Sequence, residues 1–437
     1  MILVRRERYS LVDEWPYLVA GCVAAVWRWR LELVLVLGPV LGWQALVEQL
    51  GPVAASTIVV IAGAVVLTPH TSRSALSRGL KAARVRRRWR RAWIDVGLPH
   101  VAARRVRQVP AGELVRIRCA RGSSIPHVER HAEQLAACLG AREVRVWRDP
   151  GSATWGDALL VRRDALDGIT APWPWVDATG PLSLWETFPV GVDELGDTVT
   201  MRLPERNLLL GGEPGAGKSA ALSLVLAAAA LDPNVKLWLL DGKLVELAAW
   251  GPCAERMAGA SIDDAIALLE AVQREMDARY RELVANGKRK IAPGDGLALH
   301  VVACDELAFY LTVEDRKKRI RFAELLRDLV ARGRAAGVIV VAATQKPAAD
   351  VVPSALRDLF GFRLAMRCTT RDASDTILGQ GRATNGYSAA TIAPDQRGIG
   401  FLLAEDGLPR RMRAFYLDDQ AVDRLARRAA ALRQGAE

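Results

Sequence analysis

The chain of 437 residues has no Cys-x-x-Cys pair. Its six cysteines, at 22, 119, 138, 253, 304 and 368, stand singly, a spacing that offers neither a zinc knuckle nor a disulfide scaffold and suits small buried thiols in a reducing compartment. No internal repeat and no long low-complexity segment is visible, which leaves one basic tract as the strong compositional shift. A cleavable secretory signal is also missing, because the opening MILVRRERYSLVDEW sets an acidic pair after its basic run and before any apolar core. On the helix expected over Pro126–Leu139, His127 and His131 stand four apart with Glu133 nearby; on an otherwise amphipathic helix they read as exposed surface rather than a metal site.

What is present is enough apolar sequence, 51% of residues, for two or three domains, and a net charge of +11 that suits a polyanionic partner or an anionic surface. Much of that charge lies between Arg73 and Arg107, with RVRRRWRR at Arg84–Arg91. It follows two stretches free of Lys and Arg, Leu33–Leu50 and Pro52–Leu67, which read as a short transmembrane hairpin with both flanks on the cytoplasmic side. The shorter Trp15–Trp27 stretch reads as an interfacial helix with Trp15, Tyr17, Trp27 and Trp29 among headgroups. The tract Arg84–Arg91 itself reads first as a topology signal, with lipid or DNA binding as alternatives.

The most informative motif is GGEPGAGKS at Gly211–Ser219, preceded by the strand-like Asn207–Leu210 and followed by the helix-like Ala220–Ala230. Glycines in such a loop let successive amides converge on phosphates at a helix N-terminus, so Gly212, Glu213, Pro214, Gly215, Ala216, Gly217, Lys218, Ser219 and Ala220 form the candidate nucleotide cradle. Lys218 is expected to reach the β and γ phosphates of ATP and Ser219 to hold Mg²⁺. The loop alone does not separate ATPase from GTPase or kinase.

Beyond it, strands expected at Val235–Leu240, Leu297–Cys304, Val338–Ala342, Arg363–Met366 and Gly398–Leu403 alternate with helices, the pattern of a mainly parallel sheet in a recA-like α/β core. The apolar strand LALHVVAC ends in Asp305 and Glu306. Asp305 is placed to hold Mg²⁺ through water, and Glu306 to orient and polarise an attacking water. Gln345, at the tip of Val338–Ala342, is a candidate sensor of the γ phosphate. Arg334 and Arg367 are the preferred candidates for an arginine acting on a neighbouring subunit's nucleotide, over Arg332 and Arg363.

The pieces GGEPGAGKS, LLDGKLVEL (Leu239–Leu247), VVACDELA (Val301–Ala308), ARGRAAGVIVVAATQKPAADVVPSALR (Ala331–Arg357) and DTILGQG (Asp375–Gly381) occur in the order found in the FtsK/SpoIIIE family, which the chain resembles over roughly Gly112 to Leu417. The resemblance implies a hexameric ring of this chain around double-stranded DNA, driven by Mg-ATP and attached to the cytoplasmic membrane, with its motor in the cytoplasm. It carries nucleotide binding onto Gly217, Lys218 and Ser219, catalysis onto Asp305 and Glu306, and sensing onto Gln345. It also places Thr376–Gly381 and Arg357–Arg363 near a subunit boundary or the central channel. Departures are Glu213–Pro214 and Ala216 in the loop, Gly242–Lys243 after Asp241, a shorter anchor, and about 21 residues after Tyr416, too few for a winged-helix module.

The expected organisation is an interfacial segment over residues 1–30, a transmembrane hairpin over 31–69, a basic linker over 70–111, a small α/β subdomain over 112–190, a recA-like motor over 191–420 and a helical tail over 421–437. The expected role is DNA translocation in intercellular transfer of a plasmid or integrative element, with element-encoded transfer proteins as partners. The alternatives are a protein-export ATPase of the type VII class, a chromosome-partitioning translocase, and a scaffold with a degenerate nucleotide site.

Overall fold

A computed structural model describes residues 37–67, 70–345, 347–348, 352–404 and 407–434; the interfacial segment expected over 1–30 lies outside them. Helix α1, described over residues 37–50, and α2, Pro52–Leu67, meet at Gly51, whose φ of 80° suits only glycine without strain. The Trp43 indole N–H donates to Ser56 Oγ at 2.9 Å, so the two helices face each other as a hairpin. At 1.5 Å per residue, α2 is about 24 Å long, short of the roughly 30 Å hydrocarbon core of a bilayer. Among the described residues no helix is long and apolar enough to cross a membrane. Over its described residues the hairpin expected over 31–69 is a pair of apolar helices, with Leu41, Val53 and Val60 exposed.

The chain divides into two compact units, 1–163 and 164–437. In the first, the tract expected as a linker is helix α3, His70–Asp95, followed by strand β1, Val101–Val109. Val85, Trp89, Ala92 and Trp93 recur at helical spacing and are buried, with the two indole centroids 5.1 Å apart, while arginines occupy the remaining faces. Strand β2 (Gly112–Cys119), helices α4 (Ile125–Glu129) and α5 (Ala132–Leu139), and strands β3 (Glu143–Arg148) and β4 (Trp155–Val161) complete the unit. The single helix expected over Pro126–Leu139 is thus two, and the second ends at left-handed Gly140. The four strands are antiparallel in the order β1-β2-β4-β3.

The second unit is built on a ten-stranded sheet. Its strands are β5 (Phe188–Asp193), β6 (Thr198–Met201), β7 (Leu208–Gly211), β8 (Val235–Leu240), β9 (Arg256–Ala258), β10 (Leu299–Cys304), β11 (Val338–Thr344), β12 (Phe362–Met366), β13 (Ile399–Leu403) and β14 (Arg410–Ala414), ordered β6-β5-β14-β13-β12-β7-β11-β10-β8-β9. From β12 to β9 neighbours are parallel; from β12 to β6 they are antiparallel. Because both faces are covered, β7, β10 and β11 are buried along their whole length and are mostly apolar, with His300 the polar exception within β10 and Thr344 at the end of β11. Alternate residues enter different cores: Leu208, Leu210, Val301 and Ala303 pack with helices α6 (Lys218–Ala230) and α12 (Asp419–Gln434). Leu209, Val302 and Cys304 pack with α7 (Ile262–Ala285), α8 (Leu307–Leu311), α9 (Arg316–Ala336), α10 (Ser354–Arg357) and α11 (Arg371–Leu378).

Residues 164–187, expected in the small subdomain, belong to this second unit. Within it the Trp173 indole donates to Pro189 O at 2.9 Å and the Leu184 amide to Asp232 at 2.8 Å. The expected tail is part of the core: α12 buries Ala421, Leu425, Ala426 and Ala429, and Arg433 donates to Val235 O at 2.9 Å.

Candidate nucleotide site

The phosphate-type loop runs from the end of β7 to the start of α6 and is fastened at three points. The Gly212 amide donates to Thr344 O at 3.3 Å, the Glu213 amide to Arg367 O at 2.9 Å, and the Gly398 amide to Ala216 O at 2.9 Å. Gly217, the N-cap of α6, has φ 104°, and a Cβ there would lie 2.9 Å from the Gly398 nitrogen. Both the backbone angle and the close approach therefore require glycine.

Lys218 is buried, and its ammonium donates to Gly212 O at 2.6 Å and Glu213 O at 2.8 Å. Burial pushes its pKa down to about 8, against the raising effect of Glu306. The loop thus holds its own lysine through the carbonyls on one side.

Strand order explains what stands opposite. Since β11 lies between β7 and β10, its tip, Thr344–Gln345, sits between the loop and the carboxylates Asp305 and Glu306. Strand β8 lies on the other side of β10, and the turn after it aims the Gly242 amide at Asp305 Oδ1, 3.0 Å away. That turn is shaped by buried Asp241, which accepts from the Lys243 and Leu247 amides. Asp305 Oδ2 is buried with no hydrogen-bond partner, and burial raises the carboxyl pKa to about 6. Lys218, Ser219, Lys243, Glu246, Asp305 and Gln345 line one cavity. A buried carboxylate oxygen lacking a partner, beside a serine hydroxyl, fits a hard divalent cation such as Mg²⁺.

Glu306 is turned elsewhere. It caps α8 through the Ala308 amide, 3.3 Å, and accepts from the Thr344 hydroxyl at 3.0 Å and from the Gln345 amide on both oxygens, at 3.2 and 3.0 Å. Gln345 therefore meets Glu306 through its backbone and is among the residues that line the cavity.

The two arginines part company. Arg367 Nη1 lies 2.8 Å from Glu213 Oε2 of its own loop, balancing an acidic residue that would otherwise repel phosphate. Arg334 is exposed and pairs with Glu205 at 3.3 Å at the opposite end of the strands, where β7 and β11 begin; the cavity does not include it. Arg332 pairs with Asp328 and Asp277, and Arg363 with Asp358. In the DTILGQG piece Ile377 packs beneath the loop, where a Cβ on Gly211 would lie 2.3 Å from its Cγ1, and Asp375 accepts from the Gly381 and Ala383 amides. The sequence reading gave Gly242, Lys243, Glu246 and Thr344 no role at the site. All four lie within quoted motifs, but only the pairing of β8, β10 and β11 brings them to the site.

Residues 169–380 match the model of the FtsK/SpoIIIE family. The DNA translocase FtsK of Lactococcus lactis subsp. cremoris is 27% identical over 329 residues, 70% of this chain and 42% of that protein. The chain spans about two fifths of the length of such curated relatives. The pCW3 conjugation coupling protein TcpA, solved as a monomer with ATPγS, shares the fold with a TM-score of 0.54 at 18% identity, over 80% of this chain and 99% of that one. EssC (ATPases 2 and 3) from Geobacillus thermodenitrificans gives a TM-score of 0.51 at 16% identity, over 61% of this chain and 52% of that one. At these identities both likenesses speak to fold alone.

Proposed function

Because the chain belongs to the FtsK/SpoIIIE family, we propose that it is an ATP hydrolase that moves double-stranded DNA. The observation that carries the hydrolase reading is the partnerless buried oxygen of Asp305 gathered with Lys218 and Ser219 in one cavity. In this reading the loop 212–220 binds the phosphates through its amides, and Lys218 exchanges the carbonyls of Gly212 and Glu213 for phosphate oxygens. Ser219 and Asp305 hold Mg²⁺, which when bound neutralises phosphate charge. Glu306 orients the attacking water after leaving its contacts with Thr344 and the Gln345 amide, so the tip of β11 couples the carboxylate to the contents of the cavity. Arg367 lies on its own loop here; a role on a neighbouring subunit's nucleotide, for it or for Arg334, requires release from Glu213 or Glu205.

The finer reading is a homohexameric ring at the inner membrane, its motor in the cytoplasm, serving intercellular transfer of a plasmid or integrative element alongside element-encoded partners. The transfer role is the expectation read from the sequence, the likeness to the conjugation coupling protein TcpA being one of fold, and membrane attachment is supported by the exposed apolar residues of α1 and α2.

The test is ATP hydrolysis by the full chain in detergent, with and without linear duplex DNA, at several salt concentrations. Duplex DNA is expected to stimulate hydrolysis, more weakly at high salt. Lys218→Ala is expected to lose Mg-ATP binding, and Glu306→Gln to keep binding while kcat falls by roughly 10²–10⁴-fold. Hydrolysis equal in both variants and the parent would sink the assignment; robust hydrolysis indifferent to DNA would favour the protein-export alternative.

A further inference from the structure

The positive charge of this chain is not where the motor is. Between residues 70 and 163 there are 21 Lys and Arg against 7 Asp and Glu, an excess of 14, larger than the net +11 of the whole chain. Residues 164–437 hold 34 against 37, and residues 1–69 five of each. Among the described residues, the sheet of the unit that carries the excess has one face that the helices of that unit do not cover.

Helices α3, α4 and α5 cover one face of the four-stranded sheet, burying Val115, Ile117, Val144, Val146, Ala158 and Leu160. By the two-residue period of a strand, the intervening residues occupy the other face. The strand register sets them in rows. Arg105 of β1 lies opposite Arg116 of β2, which lies opposite Asp157 of β4, which lies opposite Trp147 of β3. In the row to one side Arg118 of β2 lies opposite Trp155 of β4; in the row to the other side Arg107 of β1 lies opposite Leu114 of β2. Arg105, Arg107 and Arg118 are exposed, and the two indoles half-buried. The guanidinium carbons of Arg116 and Arg118 each sit 5.5 Å from the Trp155 ring centroid. Arg116 is held by Asp149 and by Asp157, at 2.7 Å from the latter, which fixes it against the ring.

We propose that this face binds single-stranded nucleic acid, with unpaired bases stacking on Trp155 and Trp147 and phosphates meeting Arg105 and Arg118. Rings lying among guanidinium groups on a flat sheet give every base a stacking partner, whatever its identity, and give the backbone a cationic track. A base within a duplex keeps its faces in its own stack and cannot use such rings. Anionic lipid shares the charge preference, but the aliphatic side chains of the face, Leu114 and Leu159, are half-buried and buried rather than protruding, which favours nucleic acid. The proposal concerns the first unit and does not depend on the motor reading.

The experiment measures anisotropy of a fluorescent oligo-dT of about 16 nucleotides with the full chain in detergent, without nucleotide. Trp155→Ala is expected to weaken binding roughly tenfold, while Trp155→Phe retains most of it. Arg105→Gln and Arg118→Gln are each expected to lower the slope of log affinity against log salt by about 0.7. Duplex-stimulated ATP hydrolysis, measured alongside, is expected to persist in these variants, so a failure of the motor reading shows separately. Oligo-dT affinity unchanged in Trp155→Ala and in both arginine variants would overturn the proposal. So would unlabelled duplex of the same length competing as well as oligo-dT, or Trp155-dependent binding to phosphatidylcholine–phosphatidylglycerol vesicles with none to oligo-dT.

Discussion

One oxygen of Asp305 takes the Gly242 amide while the other is buried without a partner, and burial lifts the carboxyl from an ordinary 3.8 to about 6. Above pH 6 the folded chain must hold this charge out of water, a cost on the order of 3 kcal/mol. Since the folded pKa is the higher one, the stability this carboxyl contributes is full below about pH 4 and lost as pH rises through 6. Asp305→Asn, measured in EDTA, is expected to raise Tm by several degrees at pH 8 and leave it little changed at pH 4, while ATP hydrolysis is lost. A variant less stable than the parent at pH 8 would show that the carboxylate is satisfied in the fold. Glu306 is the counterexample one residue on: its oxygens are engaged by Thr344 and Gln345, so it stands as a ready-made structural contact as well as the candidate for water activation. Adjacent carboxylates read alike in the sequence, yet the neighbouring strand and the helix they cap separate their roles.

Where β8 pairs with β10, the Trp238 indole donates to His300 Nδ1 at 3.0 Å and the rings stack at 5.8 Å. Burial, with Arg279 and Lys236 nearby, pushes the His300 pKa from 6.5 down to about 3. The unfolded chain therefore binds a proton that the folded chain refuses, and stability present above pH 6.5 is lost as pH falls toward 3. His300→Gln keeps an acceptor for Trp238 and is expected to flatten this loss by up to about 1.4 kcal/mol per pH unit, read as the difference between parent and variant urea midpoints at pH 7, 5.5 and 4.5. Asp305 acts with the opposite sign in part of this window, so the difference, not the parent's slope, is the measurement. Equal slopes would mean that His300 titrates in the fold as it does in the unfolded chain. The same pairing shows which elements a sequence displays. Strands β8, β10 and β11 were legible because burial on both faces demands continuous apolar residues. Strands β1, VAARRVRQV, and β14, RRMRA, were not, because one face of each is polar and their partners are distant or unremarkable in sequence. Helix α3 was hidden by its arginines, although Trp89 and Trp93 anchor it.

At the scale of the molecule, charge and hydrophobic core are divided between the two units. The second has its own paired cores on either face of one sheet and is tied to its first residues by Asp164, which accepts from Arg411 at 2.7 Å and from Gln396 at 2.8 Å. Burial alone would raise the Asp164 pKa, but the guanidinium overrides it and holds the carboxyl well below the usual range. A fragment of residues 164–434 is expected to unfold cooperatively and to bind Mg-ATP as the full chain does, with DNA affinity at least tenfold weaker because its net charge is near zero. Circular dichroism melts, nucleotide binding and DNA anisotropy check this; a fragment that aggregates or fails to bind nucleotide would show that the boundary is wrong.

The sequence by itself determined the chemistry of the loop 211–219, the apolar strands beside it and the carboxylates at the end of β10, because these depend on residue type at short spacing. Only the tertiary structure decided that β11 lies between β7 and β10, that Arg367 balances Glu213, that Arg334 sits at the far end of the strands, and that the basic tract is part of a folded unit. Those outcomes rest on hydrogen-bond register and packing between residues far apart in the chain, and no local pattern of polar and apolar residues specifies which distant strand becomes the neighbour.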